Sequence, residues 1–420
     1  MHLDRRQLLA TSAAGLASLS FSGSSAFARD LPTGSAKSLG FDPERLQRIH
    51  VALQRRVDAG EAQGYISAIM RQGKILHFDT VGYRNIEAKT PMSRDTIFRI
   101  MSMTKPIVSV AAMMLVEENR IRLTDNVSKF IPSFAKQNVY VSGEGDSMVT
   151  APAKRQIQIR NLLTHTSGYT YGVFTNTPVD KLQLQKKLYT RFFPTLAEFA
   201  DAAAAFPLMF EPGTMWSYGI STDILGAVIE VVTGQKLGDF LQERILGPMG
   251  MVDTAFTVAP EKRARFTNCY VTTPTGLKLF PDQEGDFIDP KQPHSGGGGL
   301  TSTADDYLRF ATMLLNEGEF EGRRYLGPQT VKLMRTNMLP PAAVAARNGE
   351  FGLGFGIDMT TGARAMYAGE GSYQWSGYNR THFWVDPTYK IVGLIMTQMQ
   401  PFNNTVEEDM RALTYQAFLG

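Results

Sequence analysis

One cysteine, Cys269, stands among 420 residues. That excludes an intramolecular disulfide and every zinc or iron–sulfur pattern that needs several cysteines. With no histidine beside it, the thiol reads as a packed core group. Charge of one sign is also scarce as a pattern. Lys plus Arg number 43 against 40 Asp plus Glu, a formal charge of +3, and no five or six like charges run together. A phosphate backbone needs a basic stripe to follow, so nucleic acid is not an expected partner. Beyond the N-terminal region no segment reaches about 18 apolar residues free of charge, so no membrane span is expected. The G-x-S-x-G elbow, H-E-x-x-H, G-x-x-x-x-G-K-[ST] and a G-x-G-x-x-G opening a helix are all missing. Common α/β-hydrolase, zincin and nucleotide-binding chemistries go with them.

What is present begins with an export signal over residues 1–28. Arg5-Arg6 precedes an apolar stretch from Leu8 to Phe21, and Ala26-Phe27-Ala28 supplies the small residues of a cleavage site. The paired arginines suit the twin-arginine route, which implies a periplasmic or secreted protein. No cysteine follows the cleavage site, so a lipoprotein anchor is not expected. Residues 29–40 read as a linker.

Both ends of the remaining chain read as hairpins with a flanking helix. Asp42-Pro43 is an N-cap and first-turn proline ahead of Leu46, Ile49, Leu53 and Val57, which share one helical face. Tyr65–Met70 and Lys74–Val81 are β-rich runs joined across Gln72-Gly73. Near the C-terminus, Thr381–Val385 and Lys390–Thr397 flank the turn residues Asp386-Pro387-Thr388. Thr405-Val406-Glu407-Glu408 then has the form of a capping box. Between the ends, Pro106–Glu118, Ile224–Val232 and Phe240–Ile245 are helical in pattern, with polar connections such as Gln137–Arg155. The expected architecture is α/β (α+β): an antiparallel sheet flanked by helices, residues 41–104 and 286–420, with a mainly helical domain, residues 105–285, inserted.

Three short segments carry candidate chemistry. S-x-x-K occurs at Ser102-Met103-Thr104-Lys105 and at Ser133-Phe134-Ala135-Lys136. Pro106 can sit only in a first helical turn, so Ser102 falls at the start of the helix that follows, with Lys105 one turn on and on the same face. Ser133 has no apolar helix behind it. A serine hydroxyl is a poor nucleophile until a base takes its proton, and an ordinary lysine is protonated at neutral pH. Burial and the positive end of a helix both favour the neutral amine that such a base requires. Tyr218 precedes a helix beginning near Ser221 and could shuttle a proton. Trp375-Ser376-Gly377, expected just before the C-terminal hairpin, could place the Tyr378 amide with that of Ser102 around an oxyanion.

In this order the three segments resemble the serine β-lactamase and penicillin-binding superfamily, in the class C-like branch that includes the family VIII carboxylesterases. Phe98-Arg99-Ile100, Leu123–Pro132, Leu162–Gly168, Leu246–Met251 and Gly298–Thr303 match in the same order. The similarity covers residues 41 to 418. It implies an acyl-enzyme mechanism in which Ser102 attacks, Lys105 and Tyr218 pass its proton to the leaving group, and Trp375, Ser376, Gly377 and Tyr378 border the substrate. The resemblance calls for no metal or organic cofactor, and makes the His165 segment structural.

Two departures bear on substrate. Ile220 occupies the position of the family's amide-holding asparagine, and Trp375 replaces a lysine that favours carboxylates. Tyr83-Arg84-Asn85 precedes the nucleophile and breaks the family order, and His294-Ser295-Gly296 fits a separate loop near the cleft. The expected activity is a carboxylesterase acting on small neutral esters, and Arg380 could restore a carboxylate contact. Alternatives are a β-lactamase, D-amino peptidase or acyltransferase of the same fold, and a binding protein acylated without turnover. The expected partner is a small-molecule ester or amide.

Overall fold

The computed structural model describes residues 30–280, 285–359 and 366–420; the expected export signal lies outside them. Eight strands form the main sheet: β1 (Gly64–Arg71), β2 (Lys74–Asn85), β3 (Thr90–Pro91), β4 (Glu350–Phe351), β5 (Gly356–Ile357), β6 (Tyr373–Gly377), β7 (Thr381–Asp386) and β8 (Ile391–Met396). Their spatial order is β4-β5-β6-β7-β8-β1-β2-β3, antiparallel throughout. The two ends of the chain meet where β1 pairs with β8, from Ile66 opposite Met396 to Arg71 opposite Ile391. The β1–β2 turn works because Gln72 and Gly73 both take positive φ, as a tight hairpin of this kind requires.

Side chains alternate across this sheet, and both faces are covered. Tyr65, Ile69 and Trp384 join Leu46, Ile49 and Leu53 of helix α1 (Pro43–Asp58) and Val406 and Met410 of the C-terminal helix. Ile66, Ala68, Met70, Phe383 and Val385 point the other way, into a core that continues through Ile107, Val108, Ile224 and Leu308. Each of the larger aliphatic or aromatic side chains contributes about 1.5–3 kcal/mol by leaving water. Helix α2 (Thr104–Glu117) is buried at every position from Thr104 to Leu115, the mark of a helix surrounded by protein. Helices α3 (Ser221–Thr233) and α4 (Ala304–Leu315) complete the elements on the side of the site, and α5 (Thr405–Tyr415) covers the opposite face with α1.

Asp42 caps α1 as expected, its carboxylate accepting the Glu44 and Arg45 N–H groups at 2.9 and 3.1 Å. Three local expectations change. The polar stretch 137–155 contains its own hairpin, Asn138–Ser142 with Val149–Pro152. The Thr405–Glu408 box does not close: Asn404 holds the N-cap position, and Glu407 turns into the protein toward His382. Trp375-Ser376-Gly377 is itself a strand, paired with Phe383, His382 and Thr381 of β7, rather than a segment before the hairpin. The aromatic residue and cross-strand partners favour extended backbone there.

Candidate active site

Ser102 sits in a single turn of 3-10 helix, Met101–Met103, that runs into α2. The preceding residue, Met101, has φ +46°, an uncommon conformation for a residue with a side chain and one that tertiary contacts must hold. Those contacts come from two sides. Phe98-Arg99 pairs antiparallel with Thr301-Ser302, Ile100 N–H donates to Leu300 O at 3.1 Å, and Leu300 N–H donates to Thr104 Oγ1 at 3.1 Å. From the other side β6 closes in. A Cβ on Gly377 would lie 2.4 Å from Ile100 O and 2.2 Å from Thr381 Oγ1, so the glycine admits the segment that leads into Ser102.

Lys105 lies beneath Ser102, 1% exposed. Its Nζ donates to Gly297 O at 2.6 Å, Tyr171 Oη at 3.1 Å and Ser102 Oγ at 3.3 Å. The amine is thus sheltered and within reach of the hydroxyl, as a base or proton relay must be.

Tyr218 comes close by a different route. The His165–Thr170 segment binds its loop through the backbone: Gly213 N–H reaches Thr166 O at 2.8 Å, Ser217 N–H reaches His165 O at 3.0 Å, and Ile220 N–H reaches Thr170 O at 3.3 Å. That places the ring over Lys105, with Nζ 4.7 Å from its centroid. The Tyr218 hydroxyl is buried with no hydrogen-bond partner among the described residues. The hydroxyl that Lys105 does bond belongs to Tyr171, which the sequence reading did not single out.

Asp223, in the first turn of α3, is the second residue that reading missed. It is 3% exposed, and its Oδ1 accepts from Ser295 Oγ at 2.5 Å and Gly297 N–H at 3.1 Å. Its carboxylate also hydrogen-bonds the Tyr171 hydroxyl. Burial pushes the Asp223 carboxyl above the ordinary carboxylate range, with Lys105 and these donors opposing. Burial, then Asp223, holds the Tyr171 hydroxyl well above an ordinary phenol. The His294–Gly299 loop therefore borders the centre as expected, through the Gly297 backbone. A one-turn spacing of Asp223 from Gly219-Ile220 was available in the sequence, but nothing local assigns it to a lysine 118 positions earlier.

The remaining expected residues divide. Trp375 packs against Tyr218 and Phe351, with ring centroids 5.4 and 5.1 Å away. Ser376 does not face the centre. Alternation along β6 sends its side chain to the opposite side of the sheet, where Oγ lies 2.9 Å from His382 Nδ1 and donates to Glu407 Oε2 at 3.1 Å. Tyr378 borders the same cleft as Ser102. Arg380 is not a free carboxylate contact: Nε and Nη2 donate to Pro401 O at 2.8 and 2.6 Å. Ser133 donates to Asp201 at 2.7 Å, a surface bond. His165 is packed among Trp216, Tyr218 and Phe351, and burial keeps it neutral by lowering its pKa well below the usual range.

Above Ser102 opens a cleft of about 660 Å³ whose walls include Tyr171, Phe174, Tyr189, Phe199, Phe256 and Phe287. Arg191 and Asp223 are the charged side chains among its lining residues. A larger cleft of about 850 Å³, bordered by Arg155, Arg160 and Asn161, contains none of Ser102, Lys105 or Tyr218. No group of three His, Cys, Asp or Glu suited to a metal occurs among the described residues.

A family model described as Beta-lactamase matches residues 52–417. The chain belongs to the beta-lactamase family. This family member is 35% identical over 355 residues to Protein Rv1367c of Mycobacterium tuberculosis, covering 82% of this chain and 88% of that one. It is 29% identical over 401 residues to Esterase EstB of Burkholderia gladioli, covering 88% and 95%. Among solved structures, EstCE1, a hydrolase with promiscuous acyltransferase activity, superposes with a TM-score of 0.75 at 26% identity, covering 90% of this chain and 99% of that one. The fold is the serine β-lactamase-like α/β fold expected from the sequence.

Proposed function

We propose that this beta-lactamase-family protein is an exported serine hydrolase, a carboxylesterase acting on small neutral esters through an acyl-enzyme. The observation that carries the proposal is the buried Lys105 amine 3.3 Å from Ser102 Oγ at the floor of an aromatic cleft. Ser102 Oγ attacks the ester carbonyl carbon while its proton passes to Lys105. The amides of Ser102 and Tyr378 stabilise the oxyanion. Collapse of the tetrahedral intermediate expels the alkoxide, which takes a proton from Lys105 by way of Tyr218. Water then adds to the acyl-enzyme, giving up its proton along the same path, and the acid leaves with Ser102 restored. The similarity to EstB supports the ester reading, and the promiscuous acyltransferase activity of EstCE1 favours acyl transfer as a second outcome of the same intermediate.

The test is a panel of p-nitrophenyl esters, nitrocefin and D-alanyl amides, given to the mature protein and to Ser102→Ala. Ester turnover that disappears in Ser102→Ala is the expected result. Dominant nitrocefin or amide turnover would replace the esterase reading with a β-lactamase or peptidase one. One equivalent of product with no turnover would replace it with a binding protein.

A further inference from the structure

A lysine ammonium offers three hydrogens, and Lys105 has an acceptor for each in Gly297 O, Tyr171 Oη and Ser102 Oγ. All three acceptors are neutral. They orient the amine without balancing its charge, and an unbalanced buried cation costs several kcal/mol. The charge of Lys105 acts on the Asp223 carboxyl, holding it down against burial. Two routes join the pair, each through a single residue. Gly297 donates its N–H to Asp223 and accepts Lys105 on its carbonyl. Tyr171 accepts Lys105 on an oxygen whose proton goes to Asp223. Burial keeps Tyr171 a phenol, so the direction of that chain is set: Lys105 to Tyr171 to Asp223.

The glycine loop has no slack. A Cβ at Gly297 would sit 2.2 Å from Asp223 Oδ2 and 2.6 Å from Tyr171 Oη, so the loop lies directly on the pair it connects. The other titratable groups around this centre include Tyr218, which holds no hydrogen bond among the described residues, Tyr189, which acts on Tyr171, and His165, kept neutral by burial.

Resting on the assignment of Ser102 as nucleophile, we propose that Asp223 is a positioning residue that acts through Tyr171 and the 295–297 turn. It keeps Lys105 against Ser102 and balances the amine whenever it carries a proton. Its role is to set how readily Lys105 exchanges that proton, while Ser102 remains the group that bonds the substrate.

The experiment compares wild type, Asp223→Asn and Ser295→Ala by p-nitrophenyl acetate hydrolysis from pH 5 to 9, and by the rate at which a fluorophosphonate labels Ser102. Removing a negative charge beside an amine favours its neutral form. The acid limb of kcat/KM in Asp223→Asn should therefore move about one pH unit lower. Misplacing the amine should lower kcat about 100-fold with KM little changed. Ser295→Ala keeps the charge and loosens one bond to it, so kcat should fall about tenfold with the limb unmoved. Wild-type kcat and pH profile in both variants would overturn the proposal. If circular dichroism shows Asp223→Asn unfolded, the kcat of Ser295→Ala decides alone, and a wild-type value overturns the proposal. Failure of the nucleophile assignment looks different: wild type itself would escape labelling at Ser102.

Discussion

Ser376 and His382 face each other across adjacent strands, Oγ to Nδ1 at 2.9 Å, on the side of the sheet turned away from Ser102. The middle residue of Trp375-Ser376-Gly377 thus belongs to a buried polar cluster with Glu407. Ser376→Ala should leave kcat for p-nitrophenyl acetate within about threefold while lowering stability by about 1 kcal/mol through the lost hydrogen bonds. Steady-state rates with urea unfolding check both, and a loss of kcat beyond tenfold would return Ser376 to the reaction.

Glu407 gives that cluster a pH dependence. Burial raises its carboxyl to about 7, against Arg411 and the Ser376 bond that favour the charged form. A carboxyl raised in the folded state stabilises the protein below its unfolded pKa, about 4.3, and that stabilisation is lost as pH rises through 7. Its full extent is on the order of 3 kcal/mol. Glu407→Gln should therefore fall less in Tm than wild type between pH 5 and 8. Parallel melting curves would contradict the argument. Asp306, also raised to about 7, is common to both proteins and cancels in the comparison.

Tyr218→Phe separates activity from stability. The hydroxyl is buried and unbonded among the described residues, so its removal should leave Tm unchanged or raise it. The proposed relay would lose its proton carrier, and acylation should slow by about 10²-fold or more. Stopped-flow acylation and thermal melts provide the two readings. A normal acylation rate would remove Tyr218 from the relay.

Gly377→Ala tests how β6 supports the turn that carries Ser102, the proposed nucleophile. The new methyl would collide with Ile100 O and Thr381 Oγ1, and the turn carrying Ser102 would have to shift. Overpacking of this kind costs about 1–3 kcal/mol, with kcat expected to fall more than tenfold. Near-UV circular dichroism and p-nitrophenyl acetate rates check it, and unchanged values of both would show that the strand can yield.

Trp375→Lys would place an ammonium among Tyr218, Phe351 and the buried core rather than at the cleft wall. A loss of several kcal/mol in stability is expected, with no gain in turnover of anionic substrates. Chemical denaturation and a nitrocefin assay measure the two effects. Faster nitrocefin turnover in a stable variant would revive a direct role for position 375 in substrate charge.

What the sequence determined by itself is whatever a few neighbouring residues decide. Asp42-Pro43 starts α1, Gln72-Gly73 turns β1 into β2, and Pro106 forces Ser102 to the head of α2 with Lys105 one turn on. Each depends on local steric and capping preferences that hold wherever the segment lies. The choice of Tyr171 over Tyr218 as the hydroxyl bonded to Lys105 was not local, nor was the reach of Asp223 to Gly297, nor the direction of Ser376. Strand pairing, the packing of α3 under the glycine loop and the closeness of β6 to Ile100 decided those. Side chains far apart in the chain acquire a common charge environment only when the backbone that carries them has been packed.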